Sequence, residues 1–371
     1  MRTELKKSKR IIIKIGSSIV NDNHDTDHIA NICKEISLCI NNNKEIIIVS
    51  SGAISKGMEM LNVNEKPKDI KRLQALAAIG QQKLMMMYEK LFSESNNRTA
   101  QILITHNDIN NRVSYLNIKG TIEELIKNKV IPIINENDVV STEEIKLGDN
   151  DNLASMISNL VNADLMIILT DQKGMYDKNP DKFKDASLLE SINIDDLKMY
   201  YNNSDFNTHS SVGTGGFITK MEAVKRASLS KTYSLIASGF EDEILKSILN
   251  GDEIGTLFIP GKKNVSSKKQ WLDTKDNQGA IIIDTGACDA LAQNKSLLFV
   301  GIKDVEKDFQ KGDVIECRNL KNKCVAKGIS NYDSNDIRLM KGKSSSEIAN
   351  LYQGKFICEV IHIDNLLVID L

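Results

Sequence analysis

The chain has 371 residues, 41% of them hydrophobic and 26% charged, and its 48 basic and 50 acidic side chains leave a formal net charge of -2. This length predicts two or three domains with cores of their own, and the ordinary apolar fraction excludes a disordered or collagen-like protein. The near-neutral charge argues against wholesale binding to nucleic acid or to a membrane surface.

The first two-thirds of the chain alternates short apolar runs with segments of helical periodicity. The runs predict strands at 10–15, 45–50, 101–105, 130–134, 165–170, 232–237 and 256–259. The periodic segments predict helices at 29–40, 73–91 and 153–160, the first of them with Thr26 as its N-cap. Strands that are apolar throughout are buried on both faces. We therefore predict an α/β fold, a three-layer αβα sandwich around a mainly parallel sheet.

The pattern changes near residue 261. The polar and basic segment 262–276 predicts a linker between a first domain at 1–261 and a second at 277–371. In the second domain the sequence predicts short strands at 280–283, 297–300, 314–317, 324–329 and 356–361, with one helical stretch at 286–293. Short strands separated by turns favour a small β-barrel-like domain.

The sequence predicts a cytoplasmic protein. The apolar runs are strand-length, far short of the roughly 20 residues that cross a bilayer, so we expect no membrane association. The six cysteines include no C-x-x-C pair and are interpreted as reduced thiols rather than zinc ligands. The basic N-terminus lacks the long uncharged core of a signal peptide.

Lys14 is the most informative single residue. Sites on parallel α/β sheets form where the strands end, and Lys14 lies near the end of the apolar strand 10–15. A charge buried there costs several kcal/mol unless an anion pairs with it. A partner anion is therefore expected, unless the strand is at the sheet edge and the ammonium group reaches solvent.

Small residues follow the first two strands, as Gly16-Ser17-Ser18 and Ser50-Ser51-Gly52-Ala53, and would let an anion approach the backbone closely. A third small-residue segment, Gly213-Thr214-Gly215-Gly216-Phe217-Ile218-Thr219-Lys220, leads into a helix and offers N–H, hydroxyl and ammonium donors to a phosphate. It is neither a Walker A loop nor a dinucleotide fingerprint, and by itself it is weak evidence, because a flexible loop would also explain it.

Two Asx-rich segments lie between the predicted strand 130–134 and the predicted helix 153–160. Asn135-Glu136-Asn137-Asp138 follows the strand, and Gly148-Asp149-Asn150-Asp151-Asn152 leads into the helix. Their side chains suit an amino group, a cation or lysines, although helix capping and Asx turns would explain part of them. The segment Thr170-Asp171-Gln172-Lys173-Gly174 follows the strand 165–170 and is placed for contact with a nucleotide.

Taken together and in this order, these motifs resemble those of the amino acid kinase family, and residues 277–371 resemble a PUA domain. The resemblance covers essentially the whole chain. It implies ATP-dependent phosphorylation of the side-chain carboxylate of L-glutamate to L-glutamyl 5-phosphate, the first step of proline biosynthesis. The implied cofactor is Mg²⁺ on the ATP phosphates, with no metal ligand from the protein.

The resemblance also implies roles for single residues. Lys14 and Lys220 would be catalytic residues that contact the transferring phosphoryl group, and Asp151 would hold both lysines in place. The implied substrate-binding residues are Ser51, Gly52, Asp138 and Asn150. The implied ATP-binding residues are Lys14, Gly16, Ser17, Thr170, Asp171, Thr214, Gly215, Gly216, Phe217, Ile218, Thr219 and Lys220.

The implied partners are ATP and L-glutamate, proline as a feedback inhibitor, further copies of the chain in a dimer or tetramer, and glutamyl phosphate reductase. Two alternatives stay open. One is a related kinase that acts on acetylglutamate, aspartate, carbamate or a nucleoside monophosphate. The other is an RNA-binding protein, since PUA domains elsewhere occur on RNA-modifying enzymes. Residues 277–371 contain 12 basic and 13 acidic side chains, so we expect no RNA binding.

Overall fold

The computed structural model of the protein describes residues 2–21, 27–141, 150–178, 180, 183–197, 217–261, 272, 277–293, 295–351 and 358–369. The chain divides into two compact units, Met1–Asn264 and Val265–Leu371. Within the described ranges, no helix is long and apolar enough to cross a membrane.

The first unit is built on a sheet of eight described strands. They are β1 (Arg10–Ile15), β2 (Glu45–Ser50), β3 (Arg98–Ile104), β4 (Val130–Glu136), β5 (Leu165–Thr170), β6 (Ser191–Asn193), β7 (Tyr233–Ser238) and β8 (Thr256–Ile259). The order across the sheet is β3-β4-β2-β1-β5-β7-β8-β6. Pairing is parallel from β3 to β7, whereas β8 is antiparallel to β7 and parallel to β6. The predicted mainly parallel sheet is confirmed.

Helices connect these strands and cover the sheet. They are α1 (Ser17–Val20), α2 (Asp27–Asn41), α3 (Ala53–Met60), α4 (Ile70–Ser93), α5 (His106–Asn110), α6 (Arg112–Lys127), α7 (Asn150–Val161), α8 (Phe217–Ala227) and α9 (Ile244–Asn250). Local capping starts several of them: the Asp69 side chain accepts from the backbone N–H of Arg72 at the start of α4.

The two faces of β1 explain why Lys14 is buried. Ile11 and Ile13 belong to a core that also contains Ile36 of α2 and Tyr88 of α4. Side chains alternate between the faces of a strand, so Lys14 points to the opposite face, where α7 contacts β1 and β5. Because β1 lies between β2 and β5, Lys14 is in the middle of the sheet rather than at its edge.

The second unit is β-rich. Its described strands are β9 (Gly279–Ile283), β10 (Leu297–Leu298), β11 (Ile302–Glu306), β12 (Val314–Arg318), β13 (Cys324–Ile329), β14 (Glu359–Ile361) and β15 (Leu366–Val368), and its described helices are α10 (Thr285–Ala292), α11 (Ser334–Met340) and α12 (Ser345–Leu351). Five strands form a mixed sheet in the order β11-β9-β12-β13-β15, and β10 pairs with β14. Ile281, Phe299 and Ile315 lie in its core.

The prediction of one helical stretch in this unit is wrong, because α11 and α12 are also present. Each has only seven residues, which is too short for a helical period to show in the sequence. Asp333 starts α11 by accepting from the N–H groups of Asn335 and Asp336. Thr26, the first part of the strand predicted at 356–361 and the linker except residue 272 lie outside the described residues.

Candidate active site

The first unit brings the ends of four parallel strands to one edge of its sheet. β1 leads to Gly16, β2 to Ser51, β4 to the segment with Asp138, and β5 ends at Thr170. A backbone hydrogen bond joins two of these ends, because the N–H of Gly16 donates to the carbonyl of Leu169 at 3.0 Å. Site residues that are far apart in the sequence therefore meet where α/β sheets bind ligands.

A carboxylate lies between two ammonium groups on the α7 side of the sheet. The Nζ atom of Lys14 is 2.7 Å from Oδ1 of Asp151, and the Nζ atom of Lys220 is 3.0 Å from Oδ2 of the same side chain. Asp151 is fully buried, and the lysine side chains are 8% and 14% exposed. The anion expected beside Lys14 is Asp151. We call this cluster of three side chains the lysine end of the site.

The lysine end has an excess of positive charge. Burial alone would raise the pKa of Asp151, but the charges and hydrogen bonds of Lys14 and Lys220 outweigh it and lower that pKa to about 2. The carboxylate therefore stays ionised at any ordinary pH. Two cations around one anion leave one positive charge in a buried setting, which attracts a further anion such as a phosphoryl group.

Glycines keep the backbone close to neighbouring elements beside this cluster. Gly52 is the N-cap of α3 and has a φ of 106°, and a Cβ atom there would lie 2.9 Å from Cγ1 of Val20. A Cβ atom at Gly16 would lie 3.2 Å from the carbonyl oxygen of Leu169. Ser17, which begins α1, is exposed.

A chain of buried side-chain hydrogen bonds links β2 to α4. The Nδ2 group of Asn150 donates to Oγ of Ser51 at 2.9 Å and to Oδ1 of Asn135 at 3.0 Å. The Nδ2 group of Asn135 donates in turn to Oε1 of Gln81 at 2.8 Å. We call Ser51, Gln81, Asn135, Asp138 and Asn150 together the amide end of the site.

Asp138 is the ionisable group of the amide end. It is 6% exposed, and its Oδ1 atom has no hydrogen-bond partner among the described residues. Burial and the neighbouring charge of Glu136 raise the pKa of Asp138 to about 7, against a smaller opposing effect of Lys66. An ammonium group bound at Oδ1 would supply the missing donor and favour the ionised form.

A cavity of about 430 Å³ opens at the amide end. Its lining residues include Gln81 of α4, Glu136 at the end of β4, and Asn137 and Asp138 directly after it. This volume is ample for an amino acid and lies within the range of small-molecule sites.

The predicted nucleotide-binding residues are only partly described. Thr170 is buried, and its Oγ1 donates to Oδ1 of the exposed Asp171 at 2.9 Å. At the start of α8, Ile218 is 51% exposed and Thr219 is half-buried. Both residues lie within one helical turn of Lys220. The backbone of Phe217 begins that helix. Thr214, Gly215 and Gly216 lie outside the described residues, as do Gly148 and Asp149.

Two residues of the amide end were not predicted as site residues. Asn135 stands in a motif that the sequence singled out, but its own role was not foreseen. Gln81 had one available signal: it falls four residues after Ala77 and three before Leu84, both buried, so it occupies the inward stripe of α4. A polar side chain on such a stripe needs a partner.

The described residues contain no group of three or more His, Cys, Asp or Glu side chains that could hold a metal ion. Both carboxylate oxygens of Asp151 contact lysines. The arrangement can bind an anion beside the two lysines and an ammonium group beside Asp138.

Comparison with known proteins agrees with this geometry. Residues 9–238 match the profile of the Amino acid kinase family, and residues 279–352 match that of the PUA domain. The chain belongs to the amino acid kinase family and has a C-terminal PUA domain.

Curated relatives extend over the whole chain. A protein of Burkholderia thailandensis named glutamate 5-kinase is 42% identical, with 100% of both chains covered. A protein of Thermoanaerobacter sp. with the same name is 40% identical over 97% of this chain and 98% of its own. Among solved structures, the carbamate kinase of Giardia lamblia bound to AMP-PNP is 19% identical, with a TM-score of 0.49 over 69% of this chain and 100% of that chain.

Proposed function

We propose that this protein is a glutamate 5-kinase, which transfers the γ-phosphoryl group of ATP to the side-chain carboxylate of L-glutamate. The observation on which the proposal rests is the pairing of two lysines with one buried aspartate, next to a cavity with an unpartnered acidic group. The products are ADP and L-glutamyl 5-phosphate. The full-length relatives with this name support the choice of glutamate within the family.

The chemistry needs charge neutralisation more than proton transfer. The nucleophile is a carboxylate with a reference pKa of about 4.3, so it is ionised at pH 7 and needs no general base. One carboxylate oxygen forms a bond to the γ-phosphorus as the bond from that phosphorus to the bridging oxygen of ADP breaks. Lys14 and Lys220 offset the negative charge of the transferring group, and Asp151 positions both ammonium groups.

The amide end holds the amino acid. Asp138 pairs with the substrate ammonium group, and Ser51 and Asn150 donate to or accept from its polar atoms. Gly52 lets the substrate approach the backbone at the end of β2. The glutamate side chain then extends from the cavity toward the lysine end, where transfer takes place.

ATP lies on the side of Thr170 and α8. The proposed contacts are those of Gly16, Ser17, Thr170, Asp171 and the segment Thr214 to Lys220, with Lys14 and Lys220 reaching the γ-phosphate. Mg²⁺ enters with the ATP phosphates and neutralises part of their charge. Phosphate oxygens and water are the ligands that Mg²⁺ prefers, so this assignment requires no dedicated protein cage.

The second unit is proposed to act on assembly or activity rather than on RNA. Several of its basic side chains are already paired with carboxylates, for example Arg318 with Glu316 at 2.8 Å and Lys341 with Asp304 at 2.7 Å. Pairing of this kind leaves little basic surplus for phosphates.

The remaining expectations are also part of the proposal. The kinase domain covers 1–261, the linker 262–276 and the PUA domain 277–371. The protein works in the cytoplasm as a dimer or tetramer, and proline inhibits it at the glutamate site. Because an acyl phosphate hydrolyses readily, the product passes to glutamyl phosphate reductase.

A substrate panel tests the proposal. Purified protein is incubated with ATP, Mg²⁺ and hydroxylamine, which traps acyl phosphates as hydroxamates, and with glutamate, acetylglutamate, aspartate or carbamate in turn. ADP release with uridine monophosphate covers the nucleotide alternative. We expect hydroxamate with glutamate at a kcat/KM at least about a hundredfold above the other acids. Absence of glutamate hydroxamate would reject the proposal.

A further inference from the structure

The orientation of the Gln81 side-chain amide follows from its neighbours. The backbone N–H of Glu136 donates to Oδ1 of Asn135 at 2.9 Å, and a backbone N–H can only donate. The side-chain oxygen of Asn135 is thereby identified. The Asn135 group that faces Gln81 must therefore be the NH₂ group. Since that NH₂ group donates, the Gln81 atom that it meets at 2.8 Å must be Oε1.

The same reasoning leaves the Nε2 group of Gln81 as a donor without an acceptor. Gln81 is 8% exposed, and its Nε2 atom is buried with no hydrogen-bond partner among the described residues. Such a group is strongly disfavoured unless an acceptor arrives. Gln81 lines the cavity at the amide end together with Asp138, whose Oδ1 atom lacks a donor.

The cavity wall therefore offers one unmatched donor and one unmatched acceptor. A ligand that satisfies both must present an acceptor and a donor. The α-carboxylate and α-ammonium groups of an amino acid supply one of each on a single carbon atom. Both atoms are buried, so the side chains that cover them must move for the substrate to reach them.

We propose that the Nε2 group of Gln81 donates to the α-carboxylate of the amino acid substrate while Asp138 binds its α-ammonium group, which makes Gln81 a specificity-determining residue; this rests on the proposed function. A kinase for side-chain carboxylates has to distinguish two carboxylates on one substrate. A donor that holds the α-carboxylate in the cavity leaves the side-chain carboxylate as the group that reaches the lysine end.

Two variants separate this contact from a purely structural role. Gln81→Glu keeps an oxygen for the Asn135 NH₂ group but replaces the free donor with a second acceptor. Gln81→Met has nearly the same size and removes both. Contact with the α-carboxylate predicts that the KM for glutamate rises about tenfold in Gln81→Met and further in Gln81→Glu, with kcat and the KM for ATP changed less than about threefold. If Gln81 only supports Asn135, the KM for glutamate should instead rise more in Gln81→Met than in Gln81→Glu.

A second substrate distinguishes a direct contact with the α-carboxylate from a general effect of the added negative charge. L-Isoglutamine has an amide in place of the α-carboxylate and keeps the side-chain carboxylate and the ammonium group. Its amide NH₂ can donate to the new carboxylate, so Gln81→Glu should lower the ratio of glutamate to isoglutamine kcat/KM at least tenfold. Gln82→Glu, an exposed position at the rim of the same cavity, adds the same charge and should leave that ratio within about twofold.

The rate of ADP release measures the activity with both substrates. If wild-type protein releases no ADP with glutamate, the proposed function itself fails. If it does, and Gln81→Met raises the KM for glutamate as much as or more than Gln81→Glu, the α-carboxylate contact is rejected. An unchanged substrate ratio in Gln81→Glu rejects it as well, whatever the glutamate KM.

Discussion

The lysine end and the amide end of the site differ in how their polar groups are partnered. At the lysine end, Lys14 and Lys220 already contact both oxygens of a fully buried Asp151. At the amide end, Asp138 and Gln81 each keep a buried atom without a partner among the described residues. One end is assembled by the protein alone, whereas the other is completed only by a ligand. Changes at the first should cost stability and catalysis, and changes at the second should cost recognition.

The largest effect is expected for Lys14→Ala. Removing one of the two cations takes away stabilisation of the transferring phosphoryl group and should lower kcat about 10²–10³-fold. The KM for glutamate should change much less, because the amide end is left intact. Lys9→Ala, which removes an exposed ammonium group just before the same strand, is the control and should retain activity. Equal losses in the two variants would remove the distinction between buried and exposed lysines.

Asp151→Asn tests whether the lysine end is held by its own charges. The substitution leaves two nearly buried ammonium groups without their carboxylate and should lower the free energy of unfolding by about 3–5 kcal/mol. Urea denaturation at pH 7 measures this, with Asp242→Asn as the exposed control. ATP should restore part of the lost stability, since its phosphates would supply negative charge. A variant as stable as wild type would show that Asp151 does not hold the lysines together.

The fold was predictable where burial dominates the sequence pattern. After Arg10, the strand Arg10–Ile15 is apolar except for Lys14, and this pattern marked both a central strand and a site residue. The helices α5 and α6 were missed, because exposed apolar residues such as Val113 and Leu116 obscure the helical period and Gly120 interrupts it. Their start signals are local hydrogen bonds instead: Thr105 caps α5 and Asn111 caps α6.

The candidate site was predictable only in part. Lys14 could be found because a charge inside an apolar strand needs an explanation, and the Asx-rich segments pointed to Asp138 and Asn150. Gln81 was missed although it lies on the inward stripe of α4, because that position indicates a buried polar side chain without showing what it contacts. That Lys14 and Lys220 share Asp151 followed only from the family resemblance and not from the sequence pattern, because the three residues come from separate elements.

The two ends should also differ in their pH dependence. Asp151 has a pKa of about 2 and does not titrate near neutrality. Asp138 has a pKa of about 7 in the free protein, and only its ionised form can pair with an ammonium group. The kcat/KM for glutamate should therefore fall about tenfold per pH unit below pH 7 and level off above it. Asp138→Asn should have a low kcat/KM without this limb. A wild-type profile that is flat from pH 5.5 to 8 would contradict the assignment.

The smallest effect concerns the backbone between the two ends. Gly52→Ala places a Cβ atom against Val20 at a φ of 106° and should destabilise the protein by about 1–3 kcal/mol. Gly120→Ala is the matched control, because a Cβ atom there meets nothing within 4 Å and alanine favours a helix. Thermal unfolding compares the two. Equal stability of both variants would show that the turn after β2 tolerates a side chain.

The most direct test of the whole assignment is ATP-dependent formation of glutamate hydroxamate by wild type and by Lys220→Ala. Lys225→Ala, an exposed position on the same helix, serves as the control. We predict robust product from wild type and from Lys225→Ala, and a loss of about 10²-fold or more in kcat for Lys220→Ala. Retained activity in Lys220→Ala would contradict the role of the lysine end, and absence of product from wild type would contradict the function itself.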